Sequence, residues 1–127
     1  MTQLTFDQPD LFPFIAAVSA EALDNFDFGV IGFDAETVVT QYNDFESRAA
    51  GLSPQRVLGQ PLFTLVAPCM NNFLVAQRFE DAAQAGAALD VTIDYVLTLR
   101  MRPVKVKLRL LADMDHGTRY VLVQRAP

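Results

Sequence analysis

The side chains best able to do chemistry lie in two short stretches. One is Val66-Ala67-Pro68-Cys69, which holds the only cysteine of the chain. The other is Tyr42-Asn43-Asp44-Phe45-Glu46, which pairs a phenol with a carboxylic acid. Cys69 follows a proline and precedes Met70-Asn71-Asn72, whose polar pair can open a helix. A thiol there sits in a short connection between elements, where a nucleophile can be reached. Each residue also has an ordinary reading. A single intracellular cysteine is usually a small buried hydrophobe. A tyrosine at a strand end is usually a core aromatic with its hydroxyl at a partner. A glutamate in a broken segment is usually a solvated charge or a helix cap. His116, the only histidine, lies in an Asp-His-Gly turn with no metal-ligand spacing around it. It reads as a surface residue, and no metal site is expected.

Composition narrows the classes. The 127 residues fit one compact domain, and 51% of them are apolar, enough to fill a core. The formal net charge of -5 gives no basic footprint for nucleic acid. One cysteine excludes an internal disulfide, which suits a reducing compartment. The N-terminus lacks a basic n-region and a clean apolar h-region, and no apolar run approaches transmembrane length. The expectation is a soluble cytoplasmic protein without membrane or nucleic-acid partners.

The elements that must position these residues are legible from periodicity. Residues 1–25 form a unit of their own. Leu11, Phe14, Ile15 and Val18 recur at helical spacing, and Leu23 and Phe26 continue the apolar set. Asp10 and Ser19 are candidate N-caps, and Pro13 fits a first helical turn. These features predict an N-terminal helical cap over residues 1–25 and a core over residues 26–127. Phe28 to Phe33 reads as a strand, Asp34-Ala35-Glu36 as a turn, and Thr37 to Tyr42 as the returning strand. Residues 43–60 are short and broken, with Ser53-Pro54 opening a short helix to Val57-Leu58. Residues 71–85 predict a longer helix, with Phe73, Ala76, Phe79 and Ala83 on one face and Gly86 ending it. From Leu89 to Leu99 every odd position is apolar or aromatic, the period of a strand with one buried face. Val104, Val106, Leu108 and Leu110 alternate with Lys105, Lys107 and Arg109, and Arg119 to Arg125 closes the sheet. The order predicts an α+β domain with helices over one face of an antiparallel sheet, and a small-ligand pocket between them.

That order, together with specific motifs, resembles the photoactive yellow protein family of blue-light receptors with the PAS fold. The resemblance runs from the N-terminal cap to Val123-Gln124-Arg125. It is carried by Leu23-Asp24, Phe28-Gly29, Gln41-Tyr42-Asn43 with Glu46, and Pro54 with Val57 and Gly59. Val66-Ala67-Pro68-Cys69 and Pro103 to Lys107 complete it. The resemblance implies a five-stranded antiparallel sheet. It also implies a 4-coumaroyl (4'-hydroxycinnamoyl) chromophore, derived from 4-coumaric acid, in thioester linkage to Cys69. Tyr42 and a neutral Glu46 would hold its phenolic oxygen. Ala50, Leu52, Leu62, Val66, Ala67, Leu97 and Met101 would line the pocket. Desolvation and a neighbouring anion both disfavour a charged Glu46, while two short hydrogen bonds keep a buried phenolate ionised.

The chain departs from the family pattern at several pocket positions. Ala50 stands where a threonine is common, and Leu52 where an arginine commonly covers the pocket. Leu62, Leu97 and Leu99 replace frequent aromatics, and Arg48 or Arg100 is a candidate replacement cation. The function implied is light sensing without enzymatic activity, by a monomer or weak dimer that signals to a downstream protein the sequence does not name. Two other readings stand beside it. A PAS module could bind a small ligand or a protein without a covalent pigment. A cysteine-dependent acyl-transfer enzyme would need a base, and the one histidine lies in a distant turn.

Overall fold

The computed structural model describes residues 4–98, 103–113 and 115–125. Five strands form one antiparallel sheet: β1 (Gly29–Phe33), β2 (Val39–Tyr42), β3 (Leu89–Leu97), β4 (Val104–Ala112) and β5 (Arg119–Arg125), in the order β2-β1-β5-β4-β3. The β1–β2 turn is built by Asp34, whose Oδ1 accepts from the backbone N–H of Glu36 and Val38. Thr37 takes a positive φ of 65° there, so β2 begins at Val39, two residues after the predicted start.

One face of the sheet meets the short helices. Ile31, Leu108, Leu110, Val121 and Val123 point into a core closed by Leu62, Val66, Met70 and Phe79. The elements over it are α3 (Asp44–Ala50), α4 (Pro54–Val57), a π-helical turn (Leu62–Val66), a 3-10 turn (Pro68–Met70) and α5 (Ala76–Ala85). Helix α3 occupies part of the stretch that reads as broken. Its start is fixed by Asn43, whose side chain accepts from the Glu46 N–H at 3.1 Å. Helix α5 starts five residues later than predicted, because Asn72 captures the backbone instead. Its Oδ1 accepts from Leu74 N and Val75 N, and Val75 leaves helical geometry at φ -120° and ψ -72°. Phe73, expected on the buried face, is therefore 75% exposed. Gly86 ends the helix with a positive φ, as its position predicts.

The other face is covered by the N-terminal segment, so helices lie on both sides of the sheet. Helices α1 (Leu11–Ala16) and α2 (Ala20–Leu23) bury Leu11, Ile15 and Leu23 against Phe28, Val30, Leu111, Tyr120 and Leu122. Phe14, expected with them, is 52% exposed. A six-residue helix has no strength of its own and is held by docking.

Arg109 supplies a polar clamp for that docking. Alternation along β4 suggests a solvated arginine, yet this one is only 6% exposed. Its Nε and Nη2 donate to the two carboxylate oxygens of Asp90, each at 2.8 Å. Its Nη1 donates to the backbone carbonyls of Phe6 at 2.9 Å and Gln8 at 2.7 Å. Strand chemistry is thereby tied to a segment about a hundred residues earlier. Arg109→Met keeps the apolar stem and removes these donors. Amide exchange in residues 4–18 is expected to accelerate roughly a hundredfold, about 3 kcal/mol of local opening, with protection in β4 and β5 unchanged. Equal protection of residues 4–18 in both proteins would show that apolar docking alone holds the cap.

Candidate functional site

Cys69 lies in the 3-10 turn that follows the π-helical turn, and its thiol is free and half-buried. The turn is held from across the domain. The Tyr95 hydroxyl on β3 donates to the Cys69 carbonyl, and Asn72 Nδ2 reaches both that carbonyl, at 3.2 Å, and the Tyr95 oxygen, at 2.6 Å. These bonds fix the backbone of Cys69 and leave its sulfur uncommitted. Tyr95 and Asn72 were legible only as a core-facing strand residue and a helix cap. Their shared carbonyl partner depends on the late start of α5.

Tyr42, Leu62, Val66, Ala67 and Leu97 gather in one buried cluster, with Cys69 and Leu52 packed against it. Ala50 is buried in the last turn of α3. Met101, Leu99 and Arg100 lie outside the described residues. Leu52 is held by Ser47, whose hydroxyl donates to its carbonyl at 2.7 Å. An apolar side chain therefore covers this part of the core. A groove of about 430 Å³ between Phe33, Phe63, Phe79 and Arg119 shares none of the expected pocket residues.

The polar end of the cluster differs most from expectation. Glu46 is 2% exposed, far from the solvated charge its local sequence suggests. It is also not a lone desolvated acid. Arg125, the last residue of β5, donates to it through both guanidinium nitrogens, Nη1 to Oε1 at 2.7 Å and Nη2 to Oε2 at 3.0 Å. This is the fork-to-fork geometry of a carboxylate with a guanidinium. Gly29 makes the room, because a Cβ at that position would collide with Glu46 Oε1. Arg48, one of the candidate cations, instead pairs with Asp44 on the surface at 3.0 Å. The sequence marks Arg125 only as the end of the last strand. Period-two alternation does put it on the face of Val121 and Val123, which is the signal that locates it.

The charges act on Tyr42. Burial first, and the Glu46 carboxylate second, push its hydroxyl well above the usual tyrosine range, while Arg125 pulls it part of the way back. Tyr42 is therefore a neutral hydrogen-bond donor throughout the physiological range. Burial alone would lower Arg125, but the hydrogen bonds and charge of Glu46, with Tyr42 adding to them, leave it raised.

A PAS fold model matches residues 20–127. The photoactive yellow protein of Halochromatium salexigens is 30% identical over 125 residues, 98% of this chain and 99% of that one. The chain belongs to the photoactive yellow protein family. The photoactive yellow protein of Rhodothalassium salexigens is 29% identical over the same shares of the two chains. Among solved structures, the photoactive yellow protein domain of the sensor histidine kinase Ppr from Rhodospirillum centenum superposes with a TM-score of 0.80 at 33% identity, covering 89% of this chain and 98% of that domain. As a member of this family, the chain is a photoreceptor-type PAS sensory domain. Among the described residues no helix is long and apolar enough to cross a membrane, and no cluster of three metal-ligating side chains occurs.

The environment of Tyr42 fixes a pH dependence. A hydroxyl raised in the folded state favours folding below the unfolded value of about 10, and that contribution fades as pH rises through the folded value. Tyr120, raised by burial, adds in the same direction. Thermal stability of the ligand-free protein is thus expected to fall steeply above pH 10, and Tyr42→Phe to flatten the fall. An identical alkaline slope in both proteins would contradict the burial of an un-ionised Tyr42.

Proposed function

We propose that the chain is a blue-light receptor whose pigment is a 4-coumaroyl group, held as a thioester by Cys69. The observation that carries the reading is a free thiol on a pinned turn, packed against the same cluster that holds Tyr42. The donor set suits an acyl group that ends in a phenol. It offers one sulfur for the acyl carbon and, at a buried end, a neutral hydroxyl donor beside a carboxylate–guanidinium pair. Apolar walls from Leu62, Val66, Ala67 and Leu97 suit the ring and its conjugated chain.

When bound, the group supplies blue absorption and a double bond that light turns from trans to cis. The protein does the rest. Cys69 contributes the thiolate that displaces an acyl leaving group. Tyr42 would donate its hydroxyl to the phenolic oxygen. Glu46 would hold a proton at its carboxyl in the dark and pass it to the phenolic oxygen after illumination, becoming a buried carboxylate. Glu46 lies in the first turn of α3, where its backbone N–H donates to Asn43 Oδ1. Asn43 Nδ2 donates in turn to the carbonyls of Leu23 and Phe28, each at 3.0 Å, and Asp24 Oδ1 accepts from Asp44 N at 2.7 Å. Movement of α3 therefore pulls on α2 and the N-terminal cap. Short helices held by docking open first, so partial release of residues 4–25 towards a downstream partner is the proposed output.

Incubation with an activated 4-coumaric acid, followed by mass spectrometry after denaturation and amide exchange under blue light, tests this reading. The native chain is expected to gain one coumaroyl mass and to lose protection in residues 4–25 when lit. Cys69→Ala is expected to do neither while staying folded. Acyl mass on Cys69→Ala, or a native chain that stays colourless and unacylated, would overturn it. The second outcome favours a PAS module without a covalent pigment.

A further inference from the structure

The Glu46–Arg125 pair asks for a reason. Desolvating two charges is expensive, and a well-packed apolar pair often does as well for stability. The pair nevertheless sits at the buried end of the proposed pigment site, built from α3 and the end of β5, with Gly29 kept bare to admit it. Among the described residues, the charged and titratable groups that face Glu46 are Arg125 from β5 and Tyr42 from the end of β2. Strand β1 offers only backbone and Gly29. Asp44 and Arg48, on the same helix, pair with each other at the surface.

We propose that Arg125 is a shared counter-ion, which holds the Glu46 carboxylate whenever no phenolate is present and turns to the phenolic oxygen when Glu46 is protonated. Tyr42 contributes no charge in either arrangement. The site then holds one cation and one anion throughout, and a proton moves without changing its net charge. In the ligand-free protein, and after light has moved the proton off Glu46, the carboxylate keeps the bidentate partner seen here.

This inference rests on the receptor reading for its phenolate half, and its first test needs no pigment. The side-chain carboxyl carbon of Glu46, assigned with Glu46→Gln, is followed by NMR against pH in ligand-free protein. Arg125→Gln is expected to make Glu46 take up its proton at least a hundredfold more readily. Arg125→Lys, a point charge that cannot grip both oxygens, is expected to fall between the two. In pigment-loaded protein Arg125→Gln is further expected to lose its yellow anionic band at a higher pH than the native chain. A Glu46 titration unchanged by both substitutions would overturn the role of Arg125. If Arg125→Gln fails to fold, the Lys variant alone decides, since an unshifted midpoint contradicts the proposal. Shifted titrations in a chain that never acylates Cys69 would overturn the receptor reading and leave the Glu46 partnership standing.

Discussion

One ion pair, Glu46 with Arg125, organises the buried polar end of this domain. It joins residues 79 positions apart, fixes the first turn of α3 on the sheet, and sets the electrostatics felt by Tyr42. It forms because three independent features agree. Alternation along β5 sends Arg125 to the core face. Asn43 turns the chain so that Glu46 faces the sheet. Gly29 has no side chain to block it. Changing any of these leaves a charge in an apolar wall, which is far more costly than never having placed it there.

The sheet carries the two halves of the account on its two faces. The core face holds the thiol, the phenol and the ion pair. The opposite face holds the N-terminal cap, docked by Leu11, Ile15 and Leu23 and clamped at its far end by Arg109. Asn43 bonds both to α3 and to the carbonyl of Leu23 in the cap layer. Its carboxamide, 1% exposed, offers a donor and an acceptor where a purely apolar residue would offer neither. A change at Glu46 thus has a short, hydrogen-bonded route to the other side of the sheet. The route needs no strand to move.

Much of this was legible in the sequence, and the reasons for success and failure are physical. The strands after Gly86 announce themselves through period-two alternation, and the cap's apolar spacing identifies Leu11 and Ile15 as buried. The motifs around Tyr42, Glu46 and Cys69 carry the family. Side-chain capture of backbone was not legible. Asn72 reads as the cap of a helix starting at once, whereas it binds Leu74 and Val75 and sends its amide to Tyr95. Arg109 reads as the polar half of an alternating strand, because nothing local shows that Phe6 and Gln8 will lie over it. Arg125 had the right parity, but its partner lies on a helix that the broken stretch after Asn43 conceals. Each miss concerns a long polar side chain whose partner is distant in sequence.

The central claim is that a proton at Glu46 is what light moves, and that this carboxyl is alternately protonated and paired with Arg125. Infrared difference spectroscopy of the pigment-loaded protein, with glutamate carboxyl carbons isotopically labelled, addresses it most directly. Blue light is expected to remove one protonated-carboxyl band and add one carboxylate band. Both should shift with the label and both should be absent in Glu46→Gln. A Glu46 that gives a carboxylate band in the dark, unchanged by light, would contradict the account.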